Sequence, residues 1–565
     1  MGQSLKEKIP EKIKDPEMWL TLVKRVLVII CLVFLCRLDQ VVNSETGRVQ
    51  FAMRNYTGVA IGVLALCAYH PKDFLKIPYA LWALLFFAGR YFALRWAQSN
   101  VDGLGQFEAT VWNVGIYGIL FIRMFYRFVI ERKKPGMNWP FFGIWAAMMT
   151  GMLLSRSDEV WHLWFFLWFG VLYLTDYSEK DFDTLFTAMV DGIIIGFLIV
   201  QTQACMHRPY DMFRYSGMQC NPNTNALFYT VAYCAVLCKW YQMKLKHRHL
   251  ALRLPFVILS GVLVSLTLFT MGRTALITMF FVTLLFLIFQ ALSRRRHRFR
   301  ELLTDGLAIL LSAVVCFVPT FWLVRYIPAY VNDPVYFEGD GNADVKIQRD
   351  DPIDSEKYTE LEDVLEGIFR RILWFADFGS REVSRLFRPS MVAYAAETAE
   401  VGEAEEYVDW ATLGTDSAHP MLTRAEDVSD DVKVRTSIYR YYLKHLNWNG
   451  HIGGEHGVWV SEGFLALHAH NVLLQMAFNY GMPVGCLFIA IIGLVYFALA
   501  ANIRTSKKGR DYFYLLCMGG FTTVFVAFGM LEISWNYGQV SFAMFFVVLY
   551  LVCRRWPGKK AIENK

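Results

Sequence analysis

Long apolar runs recur along almost the whole chain and are separated by short polar connections. The runs are 17 to 25 residues long, and each can cross a hydrocarbon core of ~30 Å as an α-helix. The pattern predicts an all-α polytopic membrane protein with about 12–14 transmembrane helices. The predicted spans lie near residues 20–36, 56–70, 77–96, 110–130, 138–155, 158–175, 184–204, 222–243, 253–271, 273–292, 302–324, 469–500, 512–531 and 538–555.

Two of these spans are short, and one apolar stretch is too long for a single helix. If 56–70 and 158–175 do not cross the membrane, twelve spans remain. The stretch from Leu254 to Leu292 has 39 residues, with Arg273 as its only charge. As one helix it would be about 58 Å long, almost two hydrocarbon cores. We therefore predict a hairpin that turns near Gly272 and places Arg273 at its tip.

The composition supports this membrane assignment, since 55% of the residues are hydrophobic and only 19% are charged. The first apolar run, Leu20–Cys36, lacks a small-x-small cleavage site and is predicted to be a span rather than a signal peptide. None of the eleven cysteines lies between Arg325 and His468. A disulfide-stabilised outer domain and a Cys/His metal site are therefore excluded, and Cys205 and Cys220 are expected to be free thiols.

Lysine and arginine residues cluster in alternate connections between the predicted spans. Such clusters remain on the cytoplasmic side of a membrane, so both termini are expected to be cytoplasmic. The clusters lie at residues 6–14, 72–76, 132–134, 244–253, 294–300, 504–510 and 554–560.

One large polar region, residues 326–467, interrupts the apolar pattern and is expected on the outer side. It holds 13 basic and 27 acidic residues, a net charge of −14, whereas the rest of the chain holds 43 basic and 23 acidic residues. Apolar residues recur at helical spacing at 361–373 and 434–446, while 333–355 and 397–431 are expected to be irregular. The predicted organisation is a bundle of about 11 spans over 1–324, a partly helical extracytoplasmic loop or cap over 325–467, about three spans over 468–556 and a cytoplasmic tail over 557–565.

Several arginines lie on the outer side, where basic residues are disfavoured. A charge at membrane depth costs roughly 2.5–3.5 kcal/mol. Arg156 and Arg208 are expected to reach the outer headgroups. Arg273 at a hairpin tip and Arg214, which opens the segment RYSGMQCNPNTNA, require another explanation.

Asparagines flank the proline that follows Arg214. Asn221 and Asn223 lie on either side of Pro222, a pattern typical of a capped helix start. A helix N-terminus beside an arginine favours anions, and a guanidinium donates two parallel hydrogen bonds to phosphate oxygens. The pattern predicts a site for a phosphorylated lipid, with a plain capped loop as the alternative.

The motif HAHN, residues 468–471, stands where the polar region ends and the apolar segment 469–500 begins. An imidazole exchanges protons near neutral pH and suits general base catalysis. His470 is the stronger candidate. If the helix begins before both histidines, His468 lies roughly 200° around the helix axis from His470, so the two side chains face different directions. Asn471 is expected to orient a ring or cap the helix, and a purely capping role for the histidines is the alternative.

These motifs, in this order, resemble the O-antigen ligase and O-antigen polymerase superfamily over about residues 200–500. The similar features are RYSGMQCNPN, the short GRTAL hairpin, VRTSIYRYY and the large loop that closes on HAHN. Enzymes of this family transfer a glycan from an undecaprenyl-diphosphate carrier to an acceptor at the outer face of the bacterial plasma membrane. The resemblance implies catalytic roles for His470 and His468, diphosphate binding by Arg214, Arg273 and Arg435, and supporting roles for Asn221, Asn223 and Asn471.

The spacing of glycines after the histidine leaves ligase and polymerase open. In the ligase pattern the Asn is followed by nine residues and a glycine pair. Gly481 fits this pattern, whereas Gly485 comes one position late, with Pro483 between them. The family chemistry implies metal-independent inverting transfer, with no cofactor and no nucleic acid, in which arginines neutralise the diphosphate and His470 deprotonates the acceptor.

Three alternatives remain. A transporter or flippase of a lipid-linked or anionic substrate is expected to carry polar residues in the middle of its spans. Most of the spans predicted for this chain are apolar in the middle. A cytoplasmic, metal-dependent transferase would use Asp181-Phe182-Asp183, although no cytoplasmic segment is long enough to bind a nucleotide. Glu455 and Glu462 are the alternative general bases.

Overall fold

The computed structural model describes most of the predicted spans and part of the polar region. The described residues are 15–37, 41–42, 48–50, 57–67, 69–100, 104–132, 139–159, 161–162, 165, 179–205, 210–211, 214–215, 217, 222–246, 249–293, 298–331, 336–337, 360–372, 422–424, 431–452, 457–461, 464–466, 468–505, 509–531, 544–545, 548–549 and 552. Most of the predicted spans 158–175 and 538–555, and the whole tail 557–565, lie outside these residues.

The described residues form fifteen α-helices and eight short strands. The helices are α1 (Pro16–Arg37), α2 (Thr57–Leu66), α3 (Ile77–Asn100), α4 (Leu104–Phe125), α5 (Trp139–Leu154), α6 (Glu179–Cys205), α7 (Pro222–Leu245), α8 (Leu250–Phe269), α9 (Arg273–Ser293), α10 (Arg298–Val331), α11 (Leu361–Ile372), α12 (Asp431–Lys444), α13 (Val472–Tyr480), α14 (Met482–Thr505) and α15 (Gly509–Gly529). The strands are β1 (Val41–Val42), β2 (Arg48–Gln50), β3 (Tyr210–Asp211), β4 (Arg214–Tyr215), β5 (Tyr336–Phe337), β6 (Leu422–Arg424), β7 (Gly457–Ser461) and β8 (Phe464–Ala466).

Nine helical segments within the described ranges are long and apolar enough to cross a membrane. The all-α fold is confirmed, and the length and composition of these helices indicate a multi-pass membrane protein. The nine segments are in α1, α3, α4 with its π-helical extension to Ile130, α6, α8, α9, α10, α14 and α15.

Helix α7 is also 24 residues long but is not among these nine segments. It packs against α6, α8, α9 and α15, and nearly all of its residues are buried. Because its surface faces protein on all sides, it does not need the uniformly apolar exterior of a lipid-facing helix. The sequence prediction of a helix over 222–243 is confirmed.

The predicted hairpin over 254–292 is confirmed. Helix α8 ends at Phe269 and α9 begins at Arg273, with Met271 in the left-handed region at φ +53°. A methyl group at Gly272 would lie 3.0 Å from the Cβ of Ala226 on α7. The glycine therefore allows the turn to approach the first turn of α7 closely.

The prediction of one span over 469–500 is wrong, because two helices meet at Gly481. Gly481 has φ +97°, and a methyl group there would overlap the carbonyl of Trp448. A methyl group at Gly485 would lie 2.5 Å from the Cβ of Ala477, although residues eight apart in a straight helix are about 12 Å apart. Helix α14, with 24 residues, is long enough to cross alone, so α13 is an additional short helix folded back on it.

Both helical patterns of the polar region are confirmed as α11 and α12. Val364 of α11 is buried against the bundle, and Gly367 packs directly on Met271. The expectation of irregular backbone at 333–355 and 397–431 is wrong in two places. β5 joins the sheet β1-β2-β5, and β6 joins the sheet β6-β7-β8. These strands are two or three residues long, which is too short for an alternating apolar pattern to show them.

The packing defines which helix ends lie together. Helices α1 and α6 run parallel, since Lys24 of α1 pairs with Asp181 near the start of α6 and Cys36 contacts Gly196 further along both helices. The pairing of β2 with β5 places the connections after α1 and α10 together. Helix α15 runs antiparallel to α7, since Cys517 bonds to Cys238 and Gly520 contacts Cys234. It also runs antiparallel to α9, since Tyr512 contacts Phe289 and Gly519 contacts Leu285. We call one end of the bundle the cap end. At the cap end lie the C-termini of α1, α6, α8, α10 and α15 and the N-termini of α7, α9 and α13.

Candidate functional site

Arg214 links three segments at the cap end. It lies in β4, paired with Asp211 of β3, and is half-buried. Its Nε donates to the carbonyl of Thr270 over 3.0 Å, and its Nη2 donates to Oδ1 of Asn223 over 2.6 Å. The guanidinium thereby joins the β3–β4 hairpin to the start of α7 and to the α8–α9 turn.

Arg273 is the first residue of α9, directly after that turn, and is half-buried. Thr270 shapes the turn, since its Oγ1 accepts from the amide of Gly272 over 3.2 Å and donates to the carbonyl of Thr267 over 2.7 Å. With Gly272 packed on Ala226, the N-termini of α7 and α9 lie side by side. Two positive helix ends and two arginines make this part of the cap end favourable for an anion.

His470 lies in the left-handed region at φ +46°, directly before α13. Asn471 caps this helix by accepting from the amide of Leu474 over 3.0 Å, and its Nδ2 donates to the carbonyl of Met530 over 3.0 Å. The hydroxyl of Tyr439 lies 3.3 Å from the carbonyl of His470 and 3.1 Å from that of Met530. The His470 backbone is thus held between α12 and the end of α15.

The rings of His468 and His470 lie close together, with centroids 4.6 Å apart. The helical separation of about 200° does not apply, because α13 begins after both residues. His468 is exposed and His470 is half-buried. Between them, the amide of Ala469 donates to Oε1 of Gln475 over 2.5 Å, which fixes the turn that presents the two rings.

Arg435 lies one helical turn before Tyr439 on α12 and is half-buried. Residues four apart share one face of a helix. Arg435 is therefore placed on the face of α12 that contacts His470 through Tyr439.

Helix α15 connects the arginine group with the histidine segment. It packs along α7 and α9, whose starts hold Asn223 and Arg273, and its end at Met530 binds Tyr439 and Asn471. The structure therefore places Arg214, Arg273 and the His468–His470 segment around one end of the bundle. Asn221, Glu455, Glu462, Cys220 and Arg208 lie outside the described residues, and Cys205 is buried as a free thiol.

Sequence reasoning missed several residues that support this site. Tyr439 lies within the helical pattern at 434–446 but is not one of the residues that form it, and nothing in that pattern indicates its contact with His470. The hydroxyl of Tyr480 donates to the carbonyl of Glu159 over 2.9 Å, which ties the connection after α5 to α13. In the turn Asn447–Gly450, the carbonyl of Asn447 accepts from the amide of Met482 over 2.9 Å. The letters NWNG are a typical turn signal, so this turn was the one feature accessible from sequence.

Asp181 and Asp183 are both engaged at the opposite end of the bundle. Lys24 donates to Asp181 over 2.7 Å, and the hydroxyl of Tyr514 donates to Asp183. These contacts give the Asp-x-Asp sequence a structural role in joining α1, α6 and α15.

Comparison of the chain with known protein families, with curated proteins and with solved structures finds no match.

Proposed function

We propose that the chain is a membrane glycosyltransferase that moves a glycan from an undecaprenyl-diphosphate carrier to an acceptor hydroxyl. The cap end is then the outer face of the bacterial plasma membrane. The chain has about 12–14 spans with both termini in the cytoplasm, and residues 325–467 form the outer cap. The grouping at the cap end of the Arg214 hydrogen bonds, the start of α9 and the His468–His470 pair carries this proposal.

In the proposed reaction, the arginines stabilise the leaving group. Arg214, Arg273 and the N-termini of α7 and α9 lie where a diphosphate gains negative charge as its bond to the anomeric carbon breaks. Fixed donors of this kind need no reorganisation during the reaction, which is why they are effective in catalysis. Arg435 approaches the site from the cap.

His470 acts as the general base in this proposal. It takes the proton of the acceptor hydroxyl while the acceptor oxygen bonds to the anomeric carbon, and the diphosphate leaves with the electron pair. One displacement inverts the anomeric configuration. His468, whose ring contacts that of His470, borders the same position, and the hydrogen bonds of Asn471 hold the backbone in place.

A transporter or flippase is the second candidate, and one observation favours it. Asp191, twelve residues into α6, forms ion pairs with Lys239 of α7, over 2.5 Å, and with Arg25 of α1. Charges within spans often mark substrate or ion pathways, and the sequence pattern of mostly apolar spans did not reveal this cluster. The transferase is favoured because the cations beside Asp191 are paired with its carboxylate. The cap end, in contrast, combines a candidate general base with groups that can donate hydrogen bonds to an anion.

The decisive experiment incubates the purified protein with lipid-linked oligosaccharide and resolves the products. A ladder of lengths indicates polymerisation, and transfer to a separate acceptor indicates ligation. A chelator is expected to leave the reaction unchanged. The absence of product, together with movement of the lipid-linked glycan across proteoliposomes, would favour the flippase and contradict the transferase.

A further inference from the structure

Helix α12 and the turn that follows it are bound to the ends of two candidate membrane spans. The hydroxyl of Tyr439 lies 3.1 Å from the carbonyl oxygen of Met530, directly after α15. Eight residues later, the carbonyl of Asn447 accepts from the amide of Met482, the first residue of α14, over 2.9 Å. Because α14 and α15 pack together and are joined by three residues, these two ends lie on the same side of the bundle. The segment between the two contacts therefore lies at the level where the spans end.

The same turn is also bound to a third apolar helix. The carbonyl of Asn449 accepts from the amide of Arg156 over 2.8 Å, two residues after α5 ends at Leu154. Leu153 and Leu154 are 66% and 79% exposed, as expected for a helix that faces lipid. The turn is thus fixed next to the lipid-facing end of α5.

Large apolar side chains are exposed on this segment. Leu443 at the end of α12 is 57% exposed, Trp448 in the turn is 72% exposed, and Ile452 is 41% exposed. The opposite face of α12 is buried, with Ile438 and Tyr442 at 1% and 0% exposure. Tryptophan is enriched where a membrane meets water, since its ring is partly apolar and its N–H is polar. The exposed face suits the headgroup region of a membrane better than open water.

The charge of this segment differs from that of the polar region around it. Residues 433–452 hold four basic residues and no acidic residue, whereas the whole region 326–467 has a net charge of −14. Arg440 and Lys444 are both exposed and lie four residues apart, on one face of α12. Basic residues beside apolar ones on one helix face are typical of helices that lie on anionic membrane surfaces.

We propose that the exposed side chains of this segment form a lipid anchor that binds anionic phospholipid headgroups at the cap end. The lipid anchor consists of Arg440, Leu443, Lys444, Trp448 and Ile452. Its apolar side chains enter the interfacial layer of the membrane, and its two cations bind the headgroup phosphates.

The lipid anchor has a consequence for the histidine segment. Tyr439, on the same helix, also lies 3.3 Å from the carbonyl of His470 through its hydroxyl. Binding of α12 to the membrane surface therefore keeps the His468–His470 pair at the level of the headgroups. The lipid anchor itself does not depend on the transferase proposal.

The test places the photoreactive amino acid p-benzoylphenylalanine at position 448. The purified protein is reconstituted in nanodiscs with equal amounts of phosphatidylglycerol and phosphatidylcholine, irradiated, and its covalent adducts are identified by mass spectrometry. Adducts with lipid are expected, with phosphatidylglycerol in excess. The same label at position 443 provides a second measurement. Thermal unfolding in detergent should match the wild type, because both positions are exposed.

The double variant Arg440→Gln with Lys444→Gln should lower the excess of phosphatidylglycerol adducts, by up to roughly fivefold for each charge removed. Arg300→Gln with Arg504→Gln is the matched control. It removes two exposed arginines at the opposite end of the bundle, at the start of α10 and the end of α14, and should leave the adduct ratio at position 448 unchanged.

Three results would overturn the inference. A folded protein without lipid adducts at both 448 and 443 would show that this face meets water. Equal adducts with the two lipids, or the same excess after loss of Arg440 and Lys444, would exclude recognition of anionic headgroups. Adducts with another protein after irradiation in native membranes would identify the face as a protein-binding surface. None of these measurements requires glycan transfer, so the lipid anchor and the proposed function can fail separately.

Discussion

The Nε atom of Arg214 donates a hydrogen bond over 3.0 Å to the carbonyl of Thr270, which lies 56 residues later in the chain. The same guanidinium binds Asn223 at the start of α7. Thr270 in turn shapes the turn that ends at Arg273. One candidate diphosphate ligand therefore positions the other, and the two arginines are expected to act as a unit.

Arg214→Lys should impair transfer although the charge is kept. An ammonium group cannot reproduce the planar fork that reaches Thr270 and Asn223 together, and losing a fixed donor at a developing charge costs on the order of 10²-fold in rate. Initial rates and thermal stability of the variant measure this. Arg156→Lys, at an exposed arginine, is the control and should be unaffected. Full activity of both Arg214→Lys and Arg214→Ala would exclude a role in diphosphate binding.

Replacing His470 should reduce transfer by roughly 10²–10⁴, the usual contribution of a general base. Because His470 has φ +46°, asparagine is a better replacement than alanine, since it tolerates the left-handed region. His470→Asn should bind the donor normally and turn it over slowly, and His468→Asn should lose less. Near-normal turnover by a folded His470→Asn protein would show that another residue is the general base, with Glu455 and Glu462 as the next candidates.

Tyr439→Phe should loosen the cap from the bundle. The variant removes the hydroxyl that reaches the carbonyls of His470 and Met530, a loss of about 0.5–1.5 kcal/mol in unfolding free energy. Transfer should fall as well, because the His470 backbone loses a partner. Tyr442→Phe on the same helix is the control, since that buried hydroxyl has no hydrogen-bond partner in the described residues. Equal stability losses in the two variants would argue against a specific role for Tyr439.

Gly481→Ala should destabilise the junction of α13 and α14. Its φ of +97° is strained for alanine, and the added methyl group would press on the carbonyl of Trp448. A cost of about 1–3 kcal/mol is expected, measured by thermal unfolding in detergent. Gly493→Ala in the adjoining helix α14, where the added methyl group meets open space, should be neutral or stabilising. A neutral Gly481→Ala would contradict the sharp break between the helices.

The ionisation of Glu159 should make the stability of the protein depend on pH. Burial raises the pKa of the Glu159 carboxyl, and the charge of Asp158 raises it further. The folded state therefore holds this proton to higher pH than the unfolded state, so its contribution is favourable at low pH and is lost as pH rises above the ordinary range of glutamate. Glu159→Gln should be more stable than the wild type at neutral pH and flatten this part of the curve. Superimposable melting curves of the two proteins from pH 4 to 7 would refute this.

Local sequence patterns account for most of the helices and for the hairpin at Gly272. Apolar runs, helix length and periodicity are local properties, because a helix satisfies its backbone within itself and rises a constant 1.5 Å per residue. The same reasoning predicted α11 and α12 within the polar region. It also selected Arg214, Arg273 and His470, since arginines at span ends and a HAHN motif at the start of an apolar run are visible as exceptions to a regular pattern.

Packing between segments that are distant in the chain sets where these residues meet. Gly481 and Pro483 are helix-breaking residues within the apolar run, but the contacts with Trp448 and Ala477 fold α13 back on α14. The cluster at Asp191 draws one charge from each of three helices, so no single span looks unusual. Contacts across such distances are set by how helices pack, which local pattern does not encode.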